Sequence, residues 1–163
     1  MKARRGGGAV EHFSDTIVNK IDAKGRVSVP AKIRQVLIAQ GAETVFLKRG
    51  DRHKAIEGFG PLLRRQLDER LALLDPMSLE YDALARSIFG RSTELGWDGE
   101  GRIKIPDDYL KFAGITDQVM FVGLGRKFQI WAPGAYEEWE KRADDIVASS
   151  AGLLAARPGG GAA

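Results

Sequence analysis

The chain has 163 residues, 44% of them hydrophobic, so it has room for one domain or two small domains with a buried core. It contains no cysteine, which excludes a disulfide framework, a thiolate nucleophile and a cysteine-based zinc site, and which fits a reducing cytoplasm. The formal charge of +3 does not by itself indicate nucleic acid, and the sequence shows no apolar run typical of a signal peptide or a membrane span.

The first segment, residues 1–14, is basic and rich in glycine. Such a composition cannot bury enough apolar surface to order the chain, so we expect a flexible basic tail. Alternating apolar residues and turn signals then predict a first structural unit over residues 15–60. Its predicted elements are a hairpin (16–22 and 26–29), a short helix (30–37) with Gly41 as its terminator, and two strands (44–48 and 54–57).

Residues 61–90 have the spacing of two amphipathic linker helices, separated at Asp75-Pro76, which we expect to cap the second helix. Their apolar stripes are expected to belong to the core. Residues 91–133 repeat the order of the first unit. A C-terminal helix is predicted at 134–148 and a flexible tail at 149–163. Three aromatic residues are expected to serve packing: Trp97, Trp131 and Trp139.

A nine-residue stretch occurs twice in the chain. It reads D-A-K-G-R-V-S-V-P at residues 22–30 and D-G-E-G-R-I-K-I-P at residues 98–106, an offset of 76. Four positions are identical and two valines are exchanged for isoleucines, which is more agreement than composition would produce. We interpret the stretches as copies of one supersecondary unit, and we expect function to lie in what they share.

The order of residues within this stretch predicts its backbone. A three-residue hairpin loop commonly ends on a residue in the left-handed region, which Gly25 and Gly101 adopt without steric cost. The loop places the aspartate at its start opposite the arginine that follows it. The two pairs are Asp22 with Arg26 and Asp98 with Arg102. Beyond the loop, apolar and polar residues alternate, so one face is expected in the core while the other meets solvent or a ligand.

The two copies differ in charge. Residues 17–37 contain five basic residues and one acidic residue, a formal charge of +4, whereas residues 93–113 contain three basic and five acidic residues, a charge of −2. Basic side chains near an exposed hairpin suit DNA phosphates, which contribute affinity without sequence information; a solvated face is the alternative. We therefore expect the first copy to contribute more affinity for DNA. The candidates for such contacts are Lys20, Lys24, Lys32, Arg34 and Lys104.

Arg26 and Arg102 have two interpretations that the spacing leaves open. An arginine on a hairpin can bind guanine O6 and N7, or phosphate, while the aspartate across the loop orients its guanidinium. Alternatively, the pair is a cross-strand salt bridge that only fixes the turn and contributes at most about 1 kcal/mol. The two roles are compatible with one another.

Other chemical sites find little support in the sequence. His12 and His53 are the only histidines and have no metal-ligand spacing, so we expect no metal site. Gly123-Leu-Gly125 lacks the third glycine of a dinucleotide fingerprint and precedes a strand, so we expect no cofactor. The sequence has no G-x-S-x-G nucleophile motif. We therefore expect neither enzymatic activity nor a small-molecule substrate.

The repeated motif and its surroundings resemble the MraZ family of bacterial transcriptional regulators. The resemblance covers roughly residues 15–148. It depends on the two D-x-x-G-R motifs, on I-V-N-K-I-D at 17–22 before the first, and on F-G-R-S-T-E at 89–94 before the second. Val122-Gly and K-F-Q-I-W at 127–131 add further agreement.

The resemblance implies an α+β fold in which two AbrB-type (SpoVT-AbrB) swapped-hairpin repeats form a small barrel-like β core, with linker and C-terminal helices. It implies DNA contact through the Asp and Arg of each motif. It also implies a cytoplasmic, nucleoid-associated repressor that acts as a ring-like homo-oligomer on double-stranded promoter DNA. The implied targets are short repeats upstream of the gene cluster for cell division and cell-wall synthesis, including the regulator's own gene.

Two other functions remain open at this stage. Other AbrB-type proteins act as antitoxins whose tail wraps a toxin, although the Ala/Gly-rich end after Ala148 offers few anchors for one. Co-purification of a small toxin would favour that function. The chain could instead be an oligomeric scaffold in which the loop arginines are structural, and an assembly indifferent to promoter DNA at low salt would favour that.

Overall fold

The computed structural model describes residues 12–155, so the predictions for residues 1–11 and 156–163 lie outside the described residues. Within this range the chain is a mixed α+β protein with eight strands, six α-helices and one π-helical turn. The elements, in chain order, are β1 Thr16–Lys20, β2 Arg26–Ser28, α1 Ala31–Ala39, β3 Thr44–Arg49, β4 Ile56–Phe59, α2 Pro61–Leu71, α3 Leu79–Ala85, the π-helix Arg86–Gly90, β5 Ser92–Gly96, β6 Arg102–Lys104, α4 Asp107–Ala113, β7 Gln118–Gly123, β8 Phe128–Trp131, α5 Pro133–Ser149 and α6 Ala151–Ala155.

The strands form an antiparallel six-stranded sheet and a separate two-stranded ribbon. The sheet has the order β1-β7-β8-β4-β3-β5, and the ribbon pairs β2 with β6. The pairing is reciprocal, because the first strand of each half pairs with the third strand of the other half, β1 with β7 and β5 with β3. The sheet does not close on itself, so a closed barrel is not formed. Its edge strands β1 and β5 run on into the D-x-x-G-R loops instead of pairing with each other.

The predicted local hairpin forms only at its tip. Ile21 bridges Val27, and the Asp22 amide donates to the Arg26 carbonyl at 3.0 Å. Beyond this point the two strands separate, because β1 pairs with β7 while β2 pairs with β6. The Asp98 amide donates to the Arg102 carbonyl at 2.9 Å in the second copy. The expectation that each copy forms a complete hairpin of its own is therefore wrong.

The inward face predicted for the repeated motif is confirmed. Its apolar residues are at most 2% exposed and join the main core with the inner face of α1 and the central strands. They are Val27, Val29, Ile103 and Ile105. A smaller cluster forms where α5 covers the sheet, with Trp131 3% exposed and Tyr136 and Trp139 packed against it. With Trp97 packed on the main core, the tryptophans serve packing as expected.

The linker helices differ from the sequence prediction. Of the leucines expected in the core, Leu63, Leu67, Leu71 and Leu74, only Leu71 is buried, and Met77 and Leu84 of the second stripe are 89% and 48% exposed. The physical reason is that α2 packs on α3 and β4 while α3 packs mainly on the π-helix that follows it, and Met77 lies in the turn between α2 and α3. Ser78 rather than Asp75 caps α3, since the Ser78 hydroxyl accepts a hydrogen bond from the Tyr81 amide at 3.1 Å.

Both ends of the described range contain ordered structure where the sequence predicts flexible tails. Phe13 is 2% exposed, and its backbone exchanges two hydrogen bonds of 2.8 Å with Gly125. Gly123 makes this approach possible, because a Cβ there would lie 2.3 Å from the Ser14 nitrogen. At the other end, Ala151–Ala155 is helical. No helix within residues 12–155 is long and apolar enough to cross a membrane.

Candidate functional site

The first D-x-x-G-R loop is built around the Asp22 carboxylate. One oxygen, Oδ1, accepts hydrogen bonds from the Lys24 and Arg26 amides, both at 2.9 Å. The other oxygen, Oδ2, accepts from Arg26 Nε at 2.8 Å. Gly25 closes the turn at φ +85°, and a Cβ there would lie 2.9 Å from the Ile105 carbonyl oxygen. Glycine is thus required both by its conformation and by the approach of the second copy.

The second loop repeats this geometry and adds one contact. Asp98 Oδ1 accepts from the Glu100 and Arg102 amides at 2.8 and 3.0 Å, and Oδ2 accepts from Arg102 Nε at 3.0 Å. Gly101 has φ +76°. In addition, Glu100 Oε2 lies 2.8 Å from Arg102 Nη2. Both copies therefore form the predicted three-residue loop, which ends on a left-handed glycine and places aspartate against arginine.

These hydrogen bonds favour the ionised aspartates. The backbone amide of Arg26 is the main cause that holds the pKa of Asp22 below its ordinary value of 3.8, and the amide of Arg102 does the same for Asp98. In turn, the hydrogen bond to Asp98 raises the pKa of Arg102. Each loop therefore carries a fixed negative charge that orients a permanently charged guanidinium.

The β2–β6 ribbon brings the two loops together on one face. Arg26 lies opposite Lys104, and Ser28 lies opposite Arg102. Hydrogen bonds from Val29 to Gly101 and from Ile105 to Gly25, both 2.9 Å, extend the pairing to the loops. Because residues two apart on a strand share a face, Arg26 and Arg102 are diagonal neighbours, and such neighbours have Cα atoms about 7–8 Å apart. We call the face formed by Arg26, Ser28, Arg102 and Lys104 the ribbon face.

The remaining predicted basic residues differ in their exposure and in their contacts. Lys20 and Lys24 are exposed near the first loop. Lys32 pairs with Asp15 at 2.6 Å. Arg34 is half-buried and donates from Nε to the Val29 carbonyl at 3.0 Å, while its guanidinium occupies the space where a Cβ on Gly101 would lie. Arg34 therefore contacts both copies, and its contact with DNA stays a prediction.

The structure also reveals residues that we had not selected. Ser28 lies on the ribbon face, and Asn19 Nδ2 donates to its carbonyl at 2.8 Å. The alternation after Arg26 could have identified Ser28. Glu100 contacts Arg102, and its place in the repeat, equivalent to Lys24, could have identified it. No sequence pattern identifies Asn19, because its contact depends on how β1 lies against β2 before the loop begins.

Comparison with known proteins gives consistent matches. A family profile described as "MraZ protein, putative antitoxin-like" matches residues 88–152. The transcriptional regulator MraZ of Parvibaculum lavamentivorans is 46% identical over 158 residues, covering 91% of this chain and 96% of that protein. Its namesake from Beijerinckia indica is 38% identical over 149 residues, 91% of each chain, and that from Rickettsia bellii is 41% identical over 135 residues, 83% of this chain and 90% of that protein. Alignments that cover 91% of the chain include both D-x-x-G-R loops.

Proposed function

The chain belongs to the MraZ family of transcriptional regulators, and from this premise we propose that it binds double-stranded promoter DNA sequence-specifically and represses transcription without enzymatic activity. The observation that carries the proposal is the ribbon face, which collects Arg26, Arg102 and Lys104 on a narrow antiparallel ribbon. A two-stranded ribbon fits the major groove of B-DNA, where base edges can be distinguished.

The arginines are suited to reading bases because their loops hold them in advance. In the first loop, the bond from Arg26 Nε to Asp22 fixes the guanidinium and leaves its terminal amino groups for another partner. These groups match guanine O6 and N7, or a phosphate, in a bidentate manner. Lys20, Lys24 and Lys104 are exposed around the arginines and suit phosphate contacts, which position the ribbon on the duplex.

We further propose that residues 15–60 and 91–133 are swapped-hairpin repeats of the AbrB type. The exchange of partners between the halves supports this, since β1 pairs with β7 and β5 with β3. Three pairs of corresponding elements begin 76 residues apart, namely β1 and β5, β2 and β6, and α1 and α4. In this arrangement neither half has a complete sheet alone, and the ribbon face needs both.

The proposal also includes self-association. A single ribbon face offers few contacts, so several subunits in a ring, each on one short DNA repeat, would combine modest affinities through avidity. Exposed apolar residues on and between the linker helices are suited to subunit contacts. The proposed targets are repeats upstream of the cell-division and cell-wall gene cluster, including the regulator's own gene, which places the protein at the nucleoid in the cytoplasm.

The experiment that tests this function is fluorescence-anisotropy binding to the protein's own upstream region and to a scrambled duplex, across a salt series. We expect the wild type to prefer the native fragment, and the Arg26→Ala, Arg102→Ala double variant to lose that preference while it remains folded and oligomeric. A Lys141→Ala, Arg142→Ala variant, equal in charge change but located on exposed positions of α5, is the matched control. Equal wild-type binding to both duplexes would contradict the proposal.

An antitoxin role is the second candidate, because the matching family profile carries the words "antitoxin-like". It requires a small protein partner whose release or capture changes with this chain. Affinity purification from the native host at stoichiometric yield would test it. A small toxin retained by the wild type, and still retained by the Arg26→Ala, Arg102→Ala variant, would favour a protein-binding function separate from the ribbon face.

A further inference from the structure

The two loops share a backbone but differ at their third position. Lys24 and Glu100 occupy equivalent places, and the amide of each donates to the loop aspartate, at 2.9 Å in the first loop and 2.8 Å in the second. The backbone therefore places a cation beside one arginine and a carboxylate beside the other. Both side chains are exposed, so neither is needed to bury surface.

The carboxylate makes direct contact with its arginine. Glu100 Oε2 lies 2.8 Å from Arg102 Nη2, while Asp98 holds Arg102 Nε at 3.0 Å. The guanidinium is thus occupied on two of its three nitrogens. Among the described residues, Arg26 forms its ion pair with Asp22 alone. The Arg102 side chain is 33% exposed against 41% for Arg26, which agrees with its additional partner.

We propose that Glu100 is an intramolecular competitor for Arg102, which occupies the nitrogen that DNA would otherwise bind and weakens the second loop relative to the first. This inference rests on the proposed function. With Asp98 on Nε and Glu100 on Nη2, the bidentate contact through Nε and Nη2 is blocked, and a contact through Nη1 and Nη2 has to share Nη2 with Glu100. Its carboxylate also repels nearby phosphates.

The competition from Glu100 weakens DNA binding by Arg102 but does not prevent it. Glu100 is 73% exposed, and an exposed ion pair contributes little free energy because water and salt screen it. Removing the carboxylate should therefore tighten binding roughly two- to fivefold for each loop that contacts DNA. In an assembly with several loops on DNA the effect multiplies. Glu100 thereby limits affinity and makes Arg26 the dominant contact in each subunit.

The test is anisotropy binding of the full-length chain to its own upstream duplex, with Glu100→Gln in the wild-type and Arg102→Ala backgrounds. We expect Glu100→Gln to tighten binding in the wild-type background and to lose most of that gain when Arg102 is absent. Glu137→Gln on α5, which removes the same charge from an exposed residue outside the ribbon face, is the control and should leave affinity unchanged. A thermal melt of each variant checks that the fold is retained.

Three other results of this experiment would overturn the role proposed for Glu100. Unchanged or weaker binding by Glu100→Gln, with wild-type binding specific and dependent on Arg26, overturns the competitor role; weaker binding would assign Glu100 to cytosine N4. An equal gain in both backgrounds also overturns it, because the effect is then general charge. Wild-type binding that lacks specificity and is insensitive to Arg26→Ala refutes the proposed function, and the competitor role fails with it.

Discussion

Arg26 combines a fixed Nε with free terminal nitrogens, because Asp22 accepts from Nε at 2.8 Å and is its ion-pair partner among residues 12–155. Substitutions at Arg26 can therefore separate the contribution of its charge to DNA binding from that of its planar shape. We expect Arg26→Lys to keep binding to scrambled DNA at low salt but to lose about 1–3 kcal/mol of discrimination for the native fragment, since lysine lacks the planar fork. Arg26→Ala should lower binding to both duplexes. Anisotropy titrations of the two variants measure this, and equal discrimination by Arg26→Lys and wild type would contradict base reading.

The loop aspartates predict a pH dependence at the same scale. Because the pKa of Asp22 and of Asp98 lies below 3.8 in the folded state, the native protein binds fewer protons than the unfolded chain near that pH. Their contribution to stability is therefore complete above the unfolded pKa and is lost as the pH falls through the folded pKa. Carboxyl-carbon NMR titration should give midpoints below 3.8 for both residues.

The main cause of this shift allows a control. The backbone amide of Arg26 is the largest single cause that lowers the pKa of Asp22, and the guanidinium adds a hydrogen bond and its charge. Arg26→Ala should therefore raise the Asp22 midpoint only in part, and the Asp98 midpoint should stay where it is. A midpoint that returns fully to 3.8 in this variant would show that the side chain, rather than the turn, holds the charge.

At the scale of structural elements, two glycines allow the contact between the two copies to be measured: Gly25 in the first loop and Gly41 after α1. Gly25 and Gly41 both have positive φ, +85° and +87°. A Cβ on Gly25 would lie 2.9 Å from the Ile105 carbonyl oxygen, whereas a Cβ on Gly41 would meet nothing within 4 Å. Gly41→Ala should cost about 1–2 kcal/mol from backbone strain alone. Gly25→Ala should cost a further 1–3 kcal/mol or so, because the ribbon must shift.

Urea denaturation of the two glycine variants provides the measurement. The difference between them isolates the contact between the copies from the conformational cost that they share. An equal loss of unfolding free energy in the two variants would mean that the ribbon shifts at Ile105 without measurable cost. Weaker DNA binding by Gly25→Ala than by Gly41→Ala would also link the ribbon's alignment to function.

These elements show what local sequence can and cannot determine. The loop was predictable because Asp22, Gly25 and Arg26 are close in the chain and each has a distinct chemical role. The buried face followed from alternation alone. Strand partners could not be read in this way, because β2 satisfies the same alternation whether it pairs with β1 or with β6. The contact between Arg34 and Gly101 could not be read from the sequence either, because it exists only after the halves interlock.

At the scale of the whole molecule, the halves repeat in backbone but not in charge. The reciprocal pairing places both arginines on one face, so the subunit presents a single composite surface in place of two separate ones. Within that surface the first loop is accompanied by Lys24 and the second by Glu100. On the proposed function, these unequal charges lead us to expect that the two loops contribute unequally to DNA binding.

The exposed apolar residues of the linker region lead to the last prediction. Leu73, Met77 and Leu79 are 86%, 89% and 80% exposed, although helical spacing places apolar residues of this region in stripes. Since single chains rarely leave such a group uncovered, we expect it to be buried between subunits. Leu73→Glu with Met77→Glu should reduce the assembly in light scattering and lower DNA affinity by more than tenfold through lost avidity. Leu154→Glu on α6, where Leu154 is 95% exposed, is the control. If that control dissociates the assembly while the linker variant does not, the subunits meet at the C-terminal helices instead.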